Sequence, residues 1–252
     1  MRLPCVDIVI FAVADVQGDN NRKLPGKELR VLLIRRGGHP CIGQWALPGG
    51  FVRENETVGE AASRELMEEA GIQGGYLEQL YTFSRLGRDK RGWVISCAHM
   101  ALIDSSHFKL KAGSDADDAR WFTLTAENKA ENINLSLSNE DINLSAIVAS
   151  KSPKMEFELI ENNGLAFDHS EIVACAINRL RAKLKHSDLA FNLVSEKFTM
   201  SELQQVYEAI LSKSLAKAAF RKKIKAFVVE TGESTQEGWH RRAKLFTHRK
   251  EE

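Results

Sequence analysis

Residues 50–72 read GFVRENETVGEAASRELMEEAGI, and no other stretch restricts the fold as strongly. Thr57 followed by Glu60 is a capping box, in which each side chain satisfies the other residue's backbone donor. Gly71 suits the left-handed position that ends a helix. A helix is therefore expected between them, with Val58, Ala61, Ala62, Leu66 and Ala70 as a narrow apolar stripe. Yet this helix gathers Glu60, Glu65, Glu68 and Glu69 within about three turns, with Arg64 as the nearby cation. Helical geometry puts Glu65 over Glu68 and Glu69 on one face. Carboxylates so placed repel, raise one another's pKa, or share a cation. Mg²⁺ takes oxygen ligands and is commonly shared with substrate phosphates. The preceding Pro-Gly-Gly turn, with Gly49 and Gly50, would let a substrate approach the backbone closely. A solvated acidic face is the other reading the residues alone allow.

The spacing decides between them. Gly50, Glu56, Arg64, Glu65, Leu66, Glu68, Glu69, Gly71 and Ile72 stand at every defining position of the Nudix box, so the chain resembles the Nudix hydrolases. That resemblance implies an α+β fold, a Nudix α/β/α sandwich with a mixed sheet. It also implies hydrolysis of a nucleoside diphosphate derivative by water with Mg²⁺ or Mn²⁺. Arg64, Glu65, Glu68 and Glu69 are then the catalytic set. Glu65, Glu68 and Glu69 would hold the metal, and Arg64 would orient a glutamate. A further acid from a distant loop often assists in that family, and GSDADDARWF offers Asp115, Asp117 and Asp118. Gly49, Gly50, Arg85 and Arg91 are expected at the substrate. The last two belong with Arg88 to the segment RLGRDKRG, for which an exposed loop is the other reading.

Around the box, VDIVIFAV (6–13) and RVLLIRR (30–36) are β-branched, strand-like runs. LEQLYTFSR, WVISCAHMALI and ARWFTL are further strand candidates, and partial alternation over residues 125–163 predicts inserted strands. FDHSEIVACAINRLRAKLKH reads as a helix with a second capping-box pattern at Asp168 and Glu171. His169 is read as a helix-start residue rather than a metal ligand. Trp45, Trp93 and Trp121, beside strands, are expected in the core.

After about Ser187 the character changes. FTMSELQQVYEAILSK is a capped amphipathic helix, SLAKAAFRKKIKAFVVE is helical and basic, and TGESTQEGWHRRAKLFTHR reads as a β-ribbon. This is the pattern of a winged helix-turn-helix, so the domains are expected at 1–186 and 187–252. GRDKRGWVIS, GLAFDHSEI, FTMSELQQVYEAIL and AAFRKKI together resemble the Nudix-related transcriptional regulators of NAD metabolism and their ADP-ribose pyrophosphatase relatives. That resemblance implies ADP-ribose as substrate, cleaved to AMP and ribose 5-phosphate, or as effector of a homodimer bound to double-stranded DNA. Arg221, Lys222, Lys223, Lys225, Arg241 and Arg242 are the residues expected at DNA. Two departures stand out. Many such regulators carry degraded boxes, whereas this one is intact, and the wing reads GWHRRAKLF without the group's Gly-Arg-Pro turn.

Charge agrees with this division. The chain carries a net +1, but residues 190–252 hold twelve Lys and Arg against eight Glu. Cys5, Cys41, Cys97 and Cys175 form no CxxC pair, which fits reduced thiols better than a zinc site. The N-terminus lacks a signal-peptide pattern and no apolar run is long enough to span a bilayer, so a cytoplasmic protein with no membrane partner is expected.

Overall fold

The computed structural model describes residues 4–16, 26–104, 116–151, 156–184, 187–235 and 242–249. The chain begins with β1 (Cys5–Asp15), β2 (Lys27–Arg36), β3 (Trp45–Ala46) and β4 (Gly49–Phe51). Helix α1 (Val58–Ala70) follows, then β5 (Tyr76–Phe83) and β6 (Ser96–Asp104). A meander of β7 (Ala116–Lys129), β8 (Asn132–Asn139), β9 (Ile142–Lys151) and β10 (Glu156–Asn163) leads into helix α2 (His169–Lys183). These ten strands form one sheet in the order β10-β9-β8-β7-β2-β1-β6-β5, with β3 on β2 and β4 on β1. The β1–β6 pairing is parallel and the others are antiparallel, so the sheet is mixed.

Strand β1 is buried from Cys5 to Val13, because both faces of the sheet are covered there. Val6, Ile8 and Ile10 pack with Ala61, Ala62 and Leu66 of α1. The alternate residues Val9, Phe11 and Val13 point to the opposite face, into the core that holds Ile172, Val173, Ala176 and Ile177 of α2. The result is the α/β/α sandwich.

The inserted strands expected over 125–163 are present, and they start earlier, since β7 begins at residue 116. Two-residue turns join β7 to β8 and β8 to β9, with Lys129 opposite Asn132 and Asn139 opposite Ile142. Ala130 and Glu140 take positive φ there, the mirror-image turn geometry that hairpin twist favours. Ile133, Leu135, Leu137, Leu144 and Val148 extend the α2-side core.

Beyond a short 3-10 helix (Leu189–Leu193) lie β11 (Phe198–Thr199), α3 (Met200–Leu211), α4 (Lys217–Ile224), β12 (Val228–Ser234) and β13 (Lys244–His248). Strand β13 pairs with both β11 and β12 in a three-stranded sheet, giving a winged helix. The capping box at Thr199 and Glu202 forms as read. The basic helix is shorter than its sequence suggests. Residues 225–227 form a 3-10 turn, and Val228 to Glu230 join β12, where backbone pairing with β13 replaces helical bonds. The two parts share one continuous core, with Leu203, Val206 and Ile210 of α3 in the same cluster as α2. Arg181 of α2 fastens the junction by donating to the Ile210 and Ala126 carbonyls at 2.8 and 2.7 Å. Among the described residues, no helix is long and apolar enough to cross a membrane.

Candidate active site

The capping box at Thr57 and Glu60 forms, and Gly71 closes α1 at φ 67°. With Glu60 spent on the cap, Arg64 turns to other carboxylates. It grips Glu56 in a fork, Nε to Oε2 at 3.0 Å and Nη2 to Oε1 at 2.7 Å. It also donates to Glu65 at 2.5 Å, to Glu68 at 3.0 Å and to the Phe51 carbonyl at 3.2 Å. Arg53 makes a second contact to Glu68 at 3.2 Å. The Arg64 hydrogen bonds, with help from the Arg53 backbone, lower the Glu56 carboxyl to about 2. Two arginines thus offset the crowding of negative charge on this helix face.

Glu65 is 6% exposed and lies directly against the Pro-Gly-Gly turn. A Cβ on Gly50 would fall 2.2 Å from Glu65 Oε1, and one on Gly49 would fall 2.1 Å from the Val6 carbonyl oxygen. Both glycines are required by close approach: Gly50 makes room for a carboxylate, and Gly49 lets β4 lie on β1. Glu65, Glu68 and Glu69 line a cleft of about 430 Å³ together with Gly49, Gly50, Arg36 and Arg53. That volume lies within the range of small-molecule sites, about 300–1,000 Å³. Among the described residues no three acidic, thiol or imidazole groups already converge as a metal cage. The three carboxylates are nonetheless the hard oxygen donors that Mg²⁺ or Mn²⁺ takes. The Gly50 cradle keeps Glu65 at the turn, so the donor set fits such an ion once Glu68 turns away from its arginines.

A second cavity of about 190 Å³ adjoins the first and shares Ile34, Arg36, Gly49 and Gly50 with it. Phe51 and Phe167 are its aromatic walls. The Arg91 guanidinium lies 5.1 Å from the Phe51 ring centre and 5.7 Å from that of Phe167, held by Asp89. Arg36 lies 4.8 Å from the Phe167 ring, and burial together with Arg91 lowers its pKa. Phe167 sits at φ 52°, a costly conformation for an aromatic residue that is most common at functional sites.

The floor of this cavity is charged and closed to solvent. Arg88 makes a fork to Asp168, both bonds 2.8 Å, and a 3.2 Å bond to Asp7. Ser96 donates to Asp7 at 2.5 Å. His169 accepts the Leu47 backbone N–H on Nδ1 at 2.8 Å and holds Nε2 3.5 Å from Asp7. Burial opposes ionisation of Asp7, but the facing His169, Arg88 and Ser96 outweigh it and hold the carboxyl well below the usual range. Burial pushes the neighbouring Cys5 thiol up to about 12, so it remains an inert thiol.

The structure thus brings Gly49, Gly50, Arg64, Glu65, Glu68, Glu69 and Arg91 together. Arg85 is drawn elsewhere, pairing with the buried Glu171 at 2.8 Å. The capping box read at Asp168 and Glu171 does not form. Asp168 makes no side-chain cap and instead binds Arg88, while Glu171 accepts from the Leu159 backbone and Arg85. Trp93 is 60% exposed rather than in the core, because its segment leaves the sheet before β6. Sequence reasoning missed Asp7, Arg36, Arg53 and Phe167 and read Asp168 only as a helix cap; Asp7, a lone carboxylate inside an apolar strand run, was the one readable signal. Asp115, Arg241 and the side chains of Asp117 and Asp118 lie outside the described residues.

In the winged helix, Arg221, Lys222, Lys225 and Arg242 are exposed. Lys223 is exposed too, but its ammonium donates to the Leu184 carbonyl at 3.2 Å and lies 5.6 Å from the Tyr207 ring centre.

Comparison with known proteins agrees with both parts. Residues 9–138 match the NUDIX domain model, and residues 190–247 match the NrtR DNA-binding winged helix domain model. The chain is 30% identical over 247 residues to the ADPR responsive transcriptional repressor NtrR of Acinetobacter baylyi, covering 97% of this chain and 81% of that protein. It is 44% identical over 98 residues to the ADP-ribose pyrophosphatase of Methanocaldococcus jannaschii, covering 39% of this chain and 57% of that protein. The crystal structure of Shewanella oneidensis NrtR complexed with a 27mer DNA superposes with a TM-score of 0.69 at 28% identity, covering 98% of this chain and 94% of that one.

Proposed function

Because the chain belongs to the Nudix family and carries an NrtR-type winged-helix domain, we propose that it is a divalent-metal-dependent pyrophosphatase of nucleoside diphosphate derivatives. ADP-ribose, cleaved by water to AMP and ribose 5-phosphate, is the foremost substrate. The observation that carries this reading is the intact acidic face packed on Gly50, opening into a second, aromatic cavity across the same two glycines. A linear diphosphate ester needs that layout: a charged centre for the phosphates and a neighbouring pocket for one organic end.

Glu65, Glu68 and Glu69 would hold Mg²⁺ or Mn²⁺, which when bound supplies Lewis acidity and neutralises diphosphate charge. The other work falls to the chain's own groups. Arg64 keeps Glu56 and Glu65 in place. Gly49 and Gly50 let the diphosphate lie close to the backbone. Glu68 or Glu69, both in the cleft, takes the proton of the attacking water. Arg36 and Arg91 present cationic faces over Phe167 for phosphate or a planar ring. The M. jannaschii relative's pyrophosphatase activity supports the choice of substrate. Release of AMP from ADP-ribose with Mg²⁺, followed by chromatography, is the test; no AMP from any nucleotide sugar overturns the enzyme reading.

The two glycines separate folding from chemistry. Gly50→Ala meets only a side-chain end, so the fold persists while Glu65 is pushed off the turn; kcat falls roughly 100-fold. Gly49→Ala meets backbone and instead destabilises by about 1–3 kcal/mol. Thermal melts beside steady-state kinetics check both, and a fully active Gly50→Ala enzyme would refute the cradle.

A second reading, ADP-ribose-responsive binding of DNA by a homodimer, is supported by the winged helix, its exposed cations and the A. baylyi repressor. Here Arg221→Ala and Lys222→Ala should each lower the log-affinity versus log-salt slope by about one. Lys223→Ala should leave that slope unchanged, because its ammonium is spent within the protein. Fluorescence anisotropy across a salt series, with and without ADP-ribose, measures this.

A further inference from the structure

The segment between the two family-matched regions, residues 139–189, supplies Phe167 and His169 to the lining of the aromatic cavity beside the acidic cleft. We propose that His169, within it, is a positioning residue for the hydrolytic site. This rests on the pyrophosphatase reading above. The ring is 3% exposed and spans two elements 122 and 162 positions away in sequence, the Leu47 backbone and Asp7 of β1. Nδ1 accepts the Leu47 N–H, so in the neutral ring the proton sits on Nε2, facing the Asp7 carboxylate. Asp7 is itself fixed by Ser96 and Arg88, and Arg88 by Asp168, the residue before His169. The imidazole therefore has one orientation, and it holds one backbone N–H.

That N–H begins the turn on which the acidic face rests. Leu47 leads to Pro48, whose carbonyl accepts from Ile8 N–H at 2.8 Å, then to Gly49 and Gly50, which pair with Asp7 and Val6. Gly50 in turn sets how far Glu65 can advance, since even one added carbon would lie 2.2 Å from its carboxylate. A displaced Leu47 moves the Gly50 floor and with it Glu65. His169 touches none of the three box glutamates; it acts through the turn. Its role is that of the outer partners of metal ligands, whose loss typically costs about 10-fold to 100-fold in affinity or activity.

The test uses two near-isosteric variants of the full chain. His169→Asn can put its amide oxygen where Nδ1 stands and still accept from Leu47. His169→Gln places its amide near the Nε2 position and leaves that N–H unmatched. Three readouts are taken: kcat and KM for Mg²⁺–ADP-ribose, Mn²⁺ affinity by electron paramagnetic resonance, and exchange of the Leu47 amide hydrogen. In His169→Gln we expect kcat and Mn²⁺ affinity to fall roughly 10-fold or more, with KM within a few-fold, and Leu47 to lose protection. In His169→Asn all three recover toward wild type. Equal impairment of the two variants, or wild-type values in His169→Gln, overturns the proposal. A wild-type chain that binds Mn²⁺ but releases no AMP fails the pyrophosphatase reading instead, and the Mn²⁺ affinities of the variants still decide the role of His169.

Discussion

Glu68→Gln should lower kcat for ADP-ribose hydrolysis by about 10³-fold, or about 4 kcal/mol of transition-state stabilisation, while leaving the melting temperature nearly unchanged. The side chain is 47% exposed and its polar partners among the described residues are Arg53 and Arg64, so the fold has little stake in its charge. The cleft has a large one. On the proposed reading Glu68 is one of three carboxylates that would hold the metal, and replacing it with an amide removes a negative donor and a proton acceptor at constant volume. Arg64 keeps Glu56 and Glu65 as partners, so the change does not leave it stranded. A variant that retained more than a tenth of the wild-type rate would remove Glu68 from the chemistry. Titrating Mn²⁺ into both proteins would then show whether it is a ligand at all.

Arg88→Met is the counterpart, expected to act on folding first. Its guanidinium is 3% exposed and sits between Asp7 and Asp168, which are themselves nearly closed to water. Removing it leaves two buried carboxylates facing each other with one cation fewer, and breaking such a pair typically costs about 3–5 kcal/mol. Chemical denaturation should show that loss as a lower midpoint at unchanged slope. Arg88→Met with Asp168→Asn should recover part of it, because the second change removes one of the stranded charges. If the single variant is as stable as wild type, the network under the aromatic cavity is not what holds β1, the loop and α2 together.

These two residues also mark where reading the sequence succeeded and where it stopped. The Nudix family was legible because its box is local: its carboxylates, its arginine and its glycine turn must fall at fixed offsets within 23 residues. The caps at Thr57 and Thr199 were legible for the same reason, since each is a bond between neighbours three positions apart. The same pattern at Asp168 and Glu171 misled. A capping box competes with any better partner the fold supplies, and here Arg88 and Arg85 bind those carboxylates more strongly than a helix end would. Lys223 shows the same limit. Its charge counts toward a basic face, but the fold points it at Leu184 and Tyr207.

From the sequence alone came the box, the added strands and the winged-helix pattern, because periodicity, capping and fixed spacing are short-range properties, while the mixed α+β sandwich came as what the Nudix resemblance implied. Which residues complete the site was decided only by tertiary structure. Cys5 and Asp7 stand in the first strand, Arg88 in a loop and Phe167 to His169 beside the last helix of the sandwich, and nothing local relates them. They meet because β1 pairs in parallel with β6 and antiparallel with β4 while α2 packs across its other face. Buried charge then does the rest, since in a site closed to water each of these groups must find a partner, and the partners it finds lie some 80 residues away or more.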